Sequence, residues 1–241
     1  MCTVTVTPIN KTDFVLVSNR DEAPSRKSLA PQIYKYKSQN ILFPKDSHSE
    51  GTWIGVSDQQ RLICLLNGGF KSHDKKPNYR HSRGEVVKDL LVLENIKDAI
   101  TKYNLSDIEP FTLVIIEWLK SLQFFEFVWD GESKHFSSLP LEPRIWSSST
   151  LYNSKMKAER CSWFNMFKEK RTLNPDSLLD FHRNTKKDNK KYGVIMDREH
   201  VKTTSITRVF KNEHEIQMDY FNLEDQTHDL KLLSDLASIN E

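Results

Sequence analysis

Position 2 of this chain is a cysteine directly behind the initiator Met1, and the cluster Asn19-Arg20-Asp21-Glu22 follows seventeen residues later. Methionine is commonly removed when residue 2 is small. Removal would leave Cys2 with a thiol and a free α-amine on one residue. The amine has an unperturbed pKa of about 7.7–8.0 and the thiol one of about 8.5, so the amine can act as base for its own thiol. A guanidinium from Arg20 would favour the thiolate, and the Asp21 carboxylate would hold and orient the ammonium. Acyl transfer also needs donors for the developing oxyanion. Asn67-Gly68-Gly69, closing a predicted strand, offers an Asn side-chain amide and the Gly68 backbone N–H. Taken singly, each feature has a plainer reading: an inert terminal residue, a surface ion pair worth little, an ordinary turn. Their convergence on two predicted hairpins is what points to chemistry.

Those residues need elements to hold them. Residues 3–7 and 14–18 read as two strands rich in Val and Thr, joined by a stretch of turn composition. A turn centred between Asn10 and Lys11 predicts Thr7 opposite Phe14, Thr5 opposite Leu16 and Cys2 opposite Asn19. Arg20 and Asp21 then fall just past the end of the first strand. Phe14-Val15-Leu16-Val17 is apolar on both faces, as in a strand covered on both sides. Residues 19–31, with Pro24 and Pro31, read as a loop. A second hairpin is predicted over 52–57 and 61–66.

Ser82-Arg83-Gly84-Glu85 has the spacing of a capping box and predicts a helix start; a further helix is predicted over 96–103. Strands follow at 111–118 and 122–129, with Asp130-Gly131 turning into a short third strand. A weaker strand at 144–149, helices at 154–168 and 175–182, and a strand pair at 203–210 and 215–221 complete the chain. Several hairpins and two pairs of helices favour antiparallel sheets with helices outside, in one domain over 1–241.

Composition narrows the options. The chain is 37% apolar and 28% charged, ordinary for a globular protein. Its 35 basic and 33 acidic residues leave a net charge of +2, so no whole-chain electrostatic case for nucleic acid arises. The basic run 186–191 reads as a solvated loop. No apolar run approaches the ~20 residues of a membrane span, and no secretory pattern opens the chain. Three cysteines without a CxxC pair suggest a reducing, cytoplasmic setting. Cys64, in an apolar strand, and Cys161, on a predicted apolar helix face, both read as buried and inert. His73 and His81 are spaced too irregularly for a metal site, and no cofactor is expected.

The motifs resemble those of the NRDE family, the transport and Golgi organisation protein 2 group. They are Met1-Cys2, Asn19-Arg20-Asp21-Glu22, Gly51-Thr52-Trp53-Ile54-Gly55, the strand end at Asn67, and Arg83-Gly84-Glu85. The match is dense over roughly the first 90 residues. That family is similar to the N-terminal-nucleophile hydrolases, which implies an α+β fold, a four-layer αββα sandwich of two antiparallel sheets between helical layers. The resemblance implies hydrolysis of a small amide or acyl compound. Cys2 would be the nucleophile, Arg20 and Asp21 its supports, and Asn67 with Gly68 the oxyanion donors. Asn19, Trp53, Ser148 and Arg83 would line the substrate cleft. Ser148 stands where the family pattern has Asn, and Tyr192-Gly193-Val194-Ile195 where it has Tyr-Gly-Thr-Arg. The resemblance also implies a second reading, a non-catalytic binding or trafficking protein tied to haem or lipid homeostasis, although no CP or CxxCH haem motif is present.

Overall fold

The computed structural model describes residues 3–213 and 215–234. In chain order the elements are β1 (Thr3–Pro8), β2 (Phe14–Glu22), β3 (Ser28–Tyr36), β4 (Gln39–Asp46), β5 (Ile54–Ser57), β6 (Arg61–Asn67), α1 (Arg83–Val92), α2 (Ile96–Lys102) and β7 (Phe111–Glu117). They continue with β8 (Gln123–Trp129), β9 (Lys134–Leu139), β10 (Arg144–Ser147), α3 (Ser154–Lys170), α4 (Pro175–Asn184), β11 (Lys202–Asn212), β12 (Glu215–Asn222) and β13 (Thr227–Ser234). The class is α+β: two antiparallel sheets flanked by helices, in two compact units.

One unit holds residues up to Arg26 and from Leu141 to Ser234, with a six-stranded sheet in the order β10-β1-β2-β11-β12-β13. β2 lies inside this sheet and is buried from Phe14 to Asp21, as its two-faced apolar sequence predicts. Val15 and Val17 pack with Leu178 and Leu179 of α4, while Phe164 of α3 packs with Phe181 and Val194. Asn174 caps α4 by accepting from the Asp176 and Ser177 N–H groups, and Pro175 opens its first turn.

The first hairpin is offset by one residue from the predicted register. Thr3 pairs with Asn19, Thr5 with Val17 and Thr7 with Val15. The cause is the loop: the Asn10 side chain accepts from the Thr12 and Asp13 N–H groups, and the Ile9 N–H donates to the Asp13 carbonyl. This folds five residues, not four, between the paired Pro8 and Phe14. The predicted pairing of Cys2 itself lies outside the described residues.

The other unit carries a meander in which β3 to β9 pair in sequence order. α1 lies on β5 and β6, burying Val86, Val87, Leu90 and Leu91. Here β3 and β4 are additions to the sequence reading: the tract read as a loop ends in strand from Ser28 onward, and Pro31 sits at an irregularity of the β3–β4 ladder where a missing N–H is tolerated. β2 likewise runs four residues beyond its predicted end, and β13 was not foreseen.

Two smaller expectations also change. Ser82 stands at the N-cap of α1, but its side chain makes no capping bond, so the capping box does not form. Cys161 is exposed, one residue on from the buried Arg160 of α3. Cys64 is buried as expected. No helix among the described residues is long and apolar enough to cross a membrane.

Candidate active site

Arg20 and Asp21 close β2, each only 2% exposed. The Tyr152 hydroxyl donates to Asp21 Oδ2 at 2.7 Å, and the Thr203 hydroxyl to Asp21 Oδ1 at 2.6 Å. Arg20 Nη1 donates to the Arg26 carbonyl and to Thr204 Oγ1, both at 3.1 Å. The β2–β11 ladder explains why both are reached. Thr203 pairs with Asp21 and Ser205 with Arg20, which leaves Thr204 as an extra residue in a bulge. Such an insertion re-aims a side chain, and here it aims the Thr204 hydroxyl at Arg20.

Asn19 is wholly buried. Its Nδ2 donates to the Val194 carbonyl at 2.8 Å, so its Oδ1 must face His182 Nδ1 at 2.7 Å as acceptor. His182 Nδ1 therefore carries the proton, and Nε2 accepts from the Thr5 hydroxyl at 2.8 Å. Burial, aided by Arg160, lowers the pKa of this imidazole to about 3 and keeps it neutral. Asn19 thus spends its amide on holding α4 and the 193–194 turn to β2. Ser148 is buried, with its Oγ 2.9 Å from Thr150 Oγ1.

Arg160 is fully buried. It donates to Thr3 Oγ1, to Ser147 Oγ at 3.3 Å, and to the Tyr192 and Gly193 carbonyls. Its guanidinium lies 3.7 Å from the centroid of the Tyr152 ring. One cation thereby ties the start of β1 to β10 and to the turn after α4. Sequence reasoning missed Arg160, Tyr152 and His182. Of these, only Tyr152 had a trace in the sequence, four residues after the family position held by Ser148.

In the other unit, Asn67 ends β6 opposite Phe111. Gly68 turns the chain at φ +86°, a left-handed value suited to glycine. Its N–H donates to the Pro110 carbonyl at 3.0 Å. That N–H is therefore already engaged. Arg83 reaches the same Pro110 carbonyl at 3.2 Å and pairs with Glu109 at 3.1 Å. Asn67-Gly68 and Arg83 are therefore brought together at Pro110. Trp53 is buried at 4% exposure, and its carbonyl accepts from the Leu65 N–H. Cys2 lies outside the described residues. Among the described residues no group of His, Cys, Asp and Glu is placed to hold a metal ion.

A sequence model of the family described as Transport and Golgi organisation 2 matches residues 1–227. The chain belongs to this family. None of the curated proteins matches it. Among solved structures, it is similar to a Caenorhabditis elegans N-acylethanolamine-hydrolyzing acid amidase ortholog at 12% identity and TM-score 0.57, covering 86% of this chain and 92% of that one. It is also similar to penicillin V acylase from Agrobacterium tumefaciens at 9% identity and TM-score 0.55, covering 98% of this chain and 87% of that one. At such identities the likeness establishes the fold alone: this member of the family has the N-terminal-nucleophile hydrolase fold.

Proposed function

We propose that the protein is an N-terminal-cysteine hydrolase of a small amide or related acyl compound. The observation that carries this reading is the buried Arg20–Asp21 pair with fixed hydroxyl partners, on a strand whose neighbour β1 begins one residue after Cys2. Burial of a guanidinium and a carboxylate is costly unless each is hydrogen-bonded, and three side chains from two other segments, Tyr152 and the β11 pair Thr203-Thr204, are committed to that task. The likeness in fold to an amidase and an acylase supports the same reaction class.

In the proposed mechanism, removal of Met1 frees the Cys2 amine, which takes the thiol proton. The thiolate attacks the carbonyl carbon to give a tetrahedral oxyanion, which hydrogen-bond donors must stabilise. The C–N bond breaks, the ammonium returns its proton to the leaving amine, and a thioester remains. Water, deprotonated by the Cys2 amine, then releases the acid and restores the thiol. Arg20 stabilises the thiolate, Asp21 orients the ammonium, and Asn19 holds the strand end in place. Ser148, in the same unit as Arg20 and Asp21, borders the substrate.

The test is intact mass of the native protein before and after a panel of acyl amides, with Cys2→Ala as control. Loss of Met1 and an acyl adduct confined to Cys2 are expected. Retained Met1, no adduct, and Cys2 labelling by a thiol reagent no faster than that of a free-cysteine peptide would sink the hydrolase reading and leave a binding protein on the same fold.

A further inference from the structure

The basic run in the turn after α4 is more ordered than a solvated charge run requires. Lys186, Lys187, Lys190 and Lys191 are all exposed, and none of their ammonium groups has a carboxylate partner among the described residues. Yet the backbone that carries them is tightly bonded. The Asn189 N–H donates to the Lys186 carbonyl, the Gly193 N–H to the Asn189 carbonyl and the Asp197 N–H to the Lys190 carbonyl, while Arg198 Nε donates to the Lys191 carbonyl. A Cβ on Gly193 would come within 2.2 Å of the Lys186 carbonyl oxygen. Lys186 itself holds φ +54°, a left-handed value uncommon for a residue with a side chain.

This turn adjoins one stripe of α3. The Tyr192 ring stacks on Trp163 at 5.8 Å, its hydroxyl donates to Glu159 at 2.8 Å, and Lys186 Nζ lies 5.9 Å from the Trp163 ring centroid. Residues three and four apart share a helix face, so Met166 and Lys170 continue the stripe of Glu159 and Trp163. Met166 is 44% exposed. The acidic groups nearby are Glu159, already engaged by Tyr192, Asp188 within the turn, Asp197, whose N–H donates to the Lys190 carbonyl, and Glu169 beside Lys170.

We propose that this surface docks on an anionic lipid membrane, with the lysines of the turn and Lys170 against the headgroups and Met166 at the acyl boundary. Basic residues beside an exposed apolar side chain give the paired electrostatic and hydrophobic signals that interfacial binding needs. A single-stranded nucleic acid would instead need open aromatic faces for its bases, and here Trp163 is stacked against Tyr192. This role is independent of the hydrolase site.

The test is co-sedimentation with phosphatidylcholine vesicles, with and without phosphatidylserine. The wild type should bind only the vesicles that contain phosphatidylserine, and binding should fall as salt is added. Each lysine charge lost should weaken binding about fivefold, so Lys187→Gln, Lys190→Gln and Lys191→Gln together should lose on the order of a hundredfold. Met166→Ser should weaken it severalfold. Thermal melting should match the wild type in both variants, because the altered side chains are exposed. Equal binding to both vesicle types, no binding to either, undiminished binding by the triple variant, or displacement by a single-stranded oligonucleotide at lower concentration would each overturn the proposal.

Discussion

At the scale of single residues, Asp21, Asn19 and His182 each have defined partners in the unit that contains β2. Asp21 receives two hydroxyls, and Asn19 and His182 are interlocked through one fixed tautomer. Tyr152→Phe removes one donor from a buried carboxylate and leaves the ring over Arg160 intact. A loss of about 1.5–3 kcal/mol in stability is expected, the range for hydrogen bonds to charged groups, and denaturant unfolding would measure it. Thr203→Val removes the other donor and should cost a similar amount. Because both hydroxyls act on one carboxylate, the double variant is expected to depart from additivity. Additive losses would mean that the two bonds are energetically separate.

At the scale of elements, two family motifs that lie apart in sequence explain each other. Gly51-Thr52 and Gly84 touch where α1 begins: a Cβ on Gly84 would stand 2.8 Å from the Thr52 nitrogen and 3.0 Å from the Gly51 Cα. Neither backbone can retreat without moving the helix off the sheet. Gly55 faces a different neighbour, the Leu91 Cδ1 at 2.7 Å, the far end of a flexible side chain. Gly84→Ala is therefore expected to cost about 1–3 kcal/mol or more from overpacking, and Gly55→Ala distinctly less, because Leu91 can change rotamer. Comparing their melting temperatures checks the order, and equal losses would contradict it. Arg61 secures the other end of α1, donating to the carbonyls of Leu90, Leu93 and Glu94 while paired with Glu117 at 2.6 Å. It satisfies carbonyls that a helix end leaves open.

At the scale of the whole molecule, the buried imidazole makes stability depend on pH. Folded His182 titrates at about 3, against 6.5 when exposed. The unfolded chain therefore binds one more proton between those values. The stabilisation is complete above the unfolded value and is lost as pH falls through that interval, with a slope of up to about 1.4 kcal/mol per pH unit. Asp89 is also shifted. Burial pushes it up, but hydrogen bonds from Lys37, Tyr103 and Tyr36 hold it below its ordinary carboxylate value, so its effect falls lower on the pH scale. Denaturant midpoints should decline between about pH 6.5 and pH 4.5 in the wild type, and the decline should be shallower in His182→Asn, which is less stable at neutral pH. An unchanged slope in that variant would show that another group carries the effect.

Local pattern determined much of this protein. Alternation and turn composition are properties of neighbouring residues, and they gave the hairpins of β1–β2, β5–β6 and β7–β8 and the helices, while Arg20 and Asp21 were read as loop and lie on β2. The dense motifs of the first 90 residues were enough to recognise the family. Tertiary structure decided the rest. The hairpin register turned on the Asn10 side chain closing a five-residue loop, which hydrophobic alternation does not encode. The partners of Asp21 lie 131 and 182 residues away, and those of His182 163 and 177 residues away. Tertiary packing selects such pairs, because a buried polar group takes whichever partner the neighbouring strand, helix or loop presents, and no spacing along the chain records that choice.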